Sequence, residues 1–130
     1  MITEHATAVL ALLQADPNLR VFDGAPPDLT APPYVVAWVS LDSEGTDRLA
    51  AVTDRPAFRV TTHSVATTGA GARIVSGRVR VALLDVTLTV AGWRSWPIRH
   101  ELGLPPQMDE STGRPWISVV DGWTFTTTPA

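Results

Sequence analysis

Apolar residues in this chain follow two periods. From Glu4 to Gln14 they recur at helical spacing. At ~100° per residue, Ala6, Val9, Leu10, Leu12 and Leu13 form one arc, with Glu4, Thr7 and Gln14 opposite. Thr3 is the expected N-cap, and Asp16-Pro17-Asn18 the stop. Leu19 to Asp23 predicts a short extended segment closed by the turn Gly24-Ala25-Pro26-Pro27. Tyr34 to Leu41 is apolar on both alternating faces, the pattern of a strand inside a sheet. In Phe58 to Ser64, Phe58, Val60 and Thr62 point one way, and Arg59, Thr61 and His63 point to a wetter side. A helical pattern then runs to Leu84, and Val86 to Val90 predicts another strand. Ser95 to Pro115 reads mostly as loop, broken by Pro97, Gly103, Pro105, Pro106 and Gly113. Trp116 to Val120 predicts the last strand, continuing through Asp121-Gly122, a tight turn or bulge, into Trp123 to Thr126. Asp42 to Asp54 is a polar loop in which Leu49 to Val52 forms a strand tip or an arm. The expected architecture is one α+β domain over residues 1–130: a mainly antiparallel sheet with two helices packed on one face.

The second helix carries one apolar face too many. With Arg73 at 0° and ~100° per residue, Ala70, Ile74, Gly77, Val81 and Leu84 fall between about 20° and 100°. Val75, Val79, Ala82 and Leu83 fall between about 180° and 280°, and arginines fill both gaps: Arg73 and Arg80 in one, Arg78 in the other. An ordinary surface helix buries a single stripe. Either the helix is sandwiched in its own monomer between the sheet and the first helix, or one stripe meets a neighbouring subunit. The second option makes Arg73, Val75, Arg78, Val79 and Arg80 candidate interface residues. Glu44, Asp47 and Arg48 of the polar loop join them, because that loop is expected to order only against a neighbour.

Composition narrows the classes. The 130 residues are 45% hydrophobic and 18% charged, which fits a folded soluble chain. No apolar run approaches a membrane span, and the N-terminus lacks the basic and apolar regions of a signal peptide, so a cytoplasmic origin is expected. There is no cysteine, hence no disulfide framework and no thiolate chemistry. All ten basic residues are arginine, through either selection for bidentate contacts or codon bias in a GC-rich genome. A formal charge of −3 gives the chain no electrostatic footprint for nucleic acid.

Searches for chemistry end empty. His5, His63 and His100 stand far apart, and none forms a metal-type pair. His63 and Ser64 are strand neighbours and point to opposite faces, so they make no dyad. Arg99-His100-Glu101 reads as surface ion pairing. Gly69-Ala70-Gly71 precedes a helix but lacks the third glycine and the later acid of a dinucleotide site. Without lysine there is no phosphate loop. Five tryptophans, among them Trp93, Trp96, Trp116 and Trp123, fit a core rim or an aromatic protein–protein interface. No catalytic residue, cofactor or metal is expected.

The order of pieces resembles the tail terminator (tail completion) proteins of long-tailed phages, particularly those of actinobacteria. The likeness rests on the N-terminal helix, Val21-Phe22-Asp23-Gly24 with its Pro-rich turn into Tyr34 to Val39, and Phe58-Arg59-Val60-Thr61-Thr62-His63-Ser64. It continues through Arg78-Val79-Arg80-Val81-Ala82-Leu83-Leu84, Trp93, the loop from Pro97-Ile98-Arg99-His100-Glu101 through Pro105-Pro106 to Asp109, and Val120-Asp121-Gly122-Trp123. It implies a non-enzymatic virion protein: a homo-oligomeric ring, usually a hexamer, at the head-proximal end of the tail, assembled in the host cytoplasm. Such a ring caps the tube, ends its polymerisation and offers the surface for head–tail joining. Its partners are the tail tube protein and a head–tail connector or neck protein. DNA passes through its lumen without being read, and no membrane is involved. Two alternatives stay open: another neck component, such as a head-closure or connector protein, or a small α+β ligand-binding module built from loop acids and tryptophans.

Overall fold

The computed structural model describes residues 2–27, 30–43, 55–109 and 116–130. Helix α1 spans Ile2–Gln14 and turns His5, Val9 and Leu13 inward. It starts one residue before the expected cap, so Thr3 lies within the first turn and its carbonyl accepts from Thr7 Oγ1 at 2.9 Å. Strand β1 (Val21–Asp23) pairs in parallel with β2 (Tyr34–Ser43), which pairs antiparallel with β3 (Ala57–Ala66). Helix α2 (Gly69–Leu83) follows, with Thr68 as N-cap, its hydroxyl accepting from Gly71 N at 3.0 Å. Three short strands come next: β4 (Trp93–Ser95), β5 (Arg99–Gly103) and β6 (Gln107–Asp109). The long β7 (Trp116–Pro129) is the last described element. The sheet order is β1-β2-β3-β7-β4, with β5 and β6 also paired to β7, so β7 takes β3 on one edge and three short strands on the other.

Alternation fills the core. Val35 and Ala37 from β2, Phe58 and Val60 from β3, and Trp123 and Phe125 from β7 point to one face of the sheet, where α1 and α2 lie side by side. Val9 and Leu13 of α1 meet Val75, Val79 and Leu83 of α2 over those strands. His5 joins them, its ring stacked 4.4 Å from Phe58 and edge-on to Trp93 at 5.1 Å. The buried Trp123 indole donates to Thr62 Oγ1 at 3.1 Å, which satisfies two polar groups inside the apolar layer. The expected α+β class and the placement of both helices on one face agree with this arrangement.

Three expectations differ. Val86 to Val90 makes no strand: its one β-bridge is the isolated pair of Val90 with Trp93. The outer edge of β7 is already occupied by β4, β5 and β6, so the segment tucks Leu88 and Val90 into the core. It is tied at its start, where Asp85 N donates to the Ile98 carbonyl at 2.8 Å and Ile98 N to the Val86 carbonyl at 2.9 Å. The stretch from Ser95, expected to be loop, contains β5 and β6, both held by backbone pairing to β7. Asp121-Gly122 is neither turn nor bulge; β7 runs through it in unbroken register with β3. Leu49 to Val52 lies outside the described residues.

Candidate assembly surfaces

Helix α2 buries Ala72, Val75, Val79 and Leu83, successive positions on one side of the wheel. Val75 and Val79, expected as interface residues, therefore belong to the monomer core, because this is the bulkier stripe and it fits between the strands and α1. The stripe left outside is the other one. Ile74 is 62% exposed and Val81 83%. α1 lies beside α2 and does not cover this ridge. Gly77, in the middle of it, has nothing within 4 Å of where a side chain would begin. Glycine there lowers helix stability by roughly 1 kcal/mol relative to alanine, with no close packing inside the chain to offset it.

The arginines of α2 divide. Arg78 reaches Asp16 at 3.4 Å and ties α2 to the end of α1. Arg73 and Arg80 are exposed and have no ionic partner among the described residues. Glu44, Asp47 and Arg48 lie outside the described residues.

The helix-free face of the sheet holds a second surface. The strand registers align Trp38 of β2, Thr61 of β3, Gly122 of β7 and Leu102 of β5 in one row. Trp38 and Leu102, each 50% exposed, stand at the ends of the row. Thr61 and Gly122 form a low floor between them. The Trp38 ring rests over Gly24, whose left-handed backbone (φ 78°) would bring a side chain to 3.4 Å of the indole. A row to one side holds Val36, His63 and Val120; a row to the other holds Ser40, Arg59 and Thr124. Burial lowers the His63 pKa from the ordinary histidine value. Arg59 is flanked by Glu101 at 3.1 Å and Asp42 at 3.7 Å, and Arg99 of β5 shares its row through Thr124.

On the helix side, Ser76 Oγ donates to Asp121 Oδ2 at 2.8 Å, and His100 Nε2 lies 3.0 Å from Asp121 Oδ1. The His100 ring also sits edge-on to Trp123 at 4.8 Å. The carboxylate stands between serine and histidine. Nucleophilic catalysis needs the opposite order, with the base touching the hydroxyl. This trio fastens α2 and β5 to β7. Arg99 pairs with Asp85 at 2.6 Å and Glu101 with Arg59, the ion pairing expected around His100. Among the described residues, no three His, Asp or Glu converge as metal ligands would, and no helix is long and apolar enough to cross a membrane.

Sequence reasoning missed the row from Trp38 to Leu102. Finding it requires the register of β5, which carries no alternating apolar signal.

No protein-family model and no curated protein matches the chain. Among solved structures, its fold is similar to a chain in the virion of a native gene transfer agent particle, with TM-score 0.70 and 19% identity over 94% of this chain and 92% of that one. A second solved chain, carrying no functional description, matches with TM-score 0.64 and 14% identity over 98% of this chain and 93% of the other. At these identities the likeness establishes the fold: two helices on one face of a mostly antiparallel, seven-stranded sheet.

Proposed function

We propose that this chain is a structural virion component of the tail terminator type, a non-catalytic subunit of a ring that caps a tail tube and joins it to the head. The observation that carries the reading is the fold likeness, nearly end to end, to a chain of a gene transfer agent virion. Exposed apolar side chains on two sides of the molecule, Ile74 and Val81 on α2 and Trp38 and Leu102 on the helix-free face, support it, because ring subunits contact their neighbours through two different patches. In this role the chain contacts itself, tube protein and a neck protein, and DNA crosses the lumen without sequence-specific contacts. A hexamer is the ring number that the family resemblance implies.

The test is electron microscopy of the purified chain, alone and mixed with tail tube protein. Rings of constant diameter and tubes capped at one end are the expected result. A protein that remains monomeric and leaves tubes growing at both ends overturns the reading. The same fold likeness accommodates a head-closure or connector subunit; such a protein would bind portal or head complexes and leave tube growth unaffected.

A further inference from the structure

We draw no further inference here: the strongest candidate, the exposed apolar surface patch that Ile74 and Val81 form on helix α2, carries nothing because no contact in the structure shows what covers it.

Discussion

Asp121 spends one carboxylate on two partners, Ser76 from α2 and His100 from β5. Removing it strands a hydroxyl and an imidazole nitrogen in a half-buried place, and each unsatisfied buried group costs about 1–3 kcal/mol. Asp121→Ala should therefore lower unfolding free energy by roughly 2–3 kcal/mol in urea titrations, and Asp121→Asn, which keeps an acceptor for Ser76, should lose less. His63 gives a pH dependence of known sign. Burial depresses its folded-state pKa below the unfolded value of about 6.5, so the unfolded chain binds the proton more readily. Its effect on stability is absent above that value. Stability falls as pH drops through about 6.5 and levels off once the folded histidine also protonates. His63→Gln should flatten that part of a melting-temperature profile; an unchanged slope would remove His63 as its cause. Neither position announces itself in the sequence. Asp121 beside Gly122 reads as a turn, because the partners that hold it in a strand lie 45 and 21 residues away.

At the scale of elements, α2 shows what a pattern can and cannot say. Its two stripes follow from spacing alone. Which stripe faces the core depends on volume: Val75, Val79 and Leu83 fill the space over the sheet, and a stripe built around Gly77 would leave it hollow. The consequence is a matched pair of substitutions. Val79→Asp places a carboxylate in the core at a penalty comparable to the whole stability of a small domain, about 5–15 kcal/mol, and should give no cooperative unfolding transition by circular dichroism. Val81→Asp, two residues on, should melt within about 0.5 kcal/mol of the wild type. Strands β5 and β6 were illegible for another reason. Their side chains are mostly exposed, and the backbone of β7 holds them, so no apolar period marks them. Val86 to Val90 is the reverse case, a strand-like sequence beside an edge already taken. Fold class, α1, β2, β3 and the existence of α2 could be read from local pattern. The row from Trp38 to Leu102 could not, because its four residues come from four strands brought together by register.

At the scale of the whole molecule, β7 is the common member of the sheet. At Ile117 and Ser118, and again from Asp121 to Thr124, it is paired on both edges. Amide exchange there should require opening of the entire sheet, whereas β6, with one three-residue partnership, should exchange by local fraying. Exchange of β7 as fast as that of β6 would contradict this account. The position of β7 also fixes an order of events. It comes last among the described elements, yet it lies between β3 and three strands made before it. While a ribosome has delivered only the residues before Trp116, β4, β5 and β6 have no partner, and the edge of β3 stands open with Phe58 and Val60 along it. Open edges of this kind recruit foreign strands. A nascent chain is therefore most exposed to misassociation until residues Trp116 to Pro129 emerge, and closure by that fourteen-residue strand ends the exposure in one step.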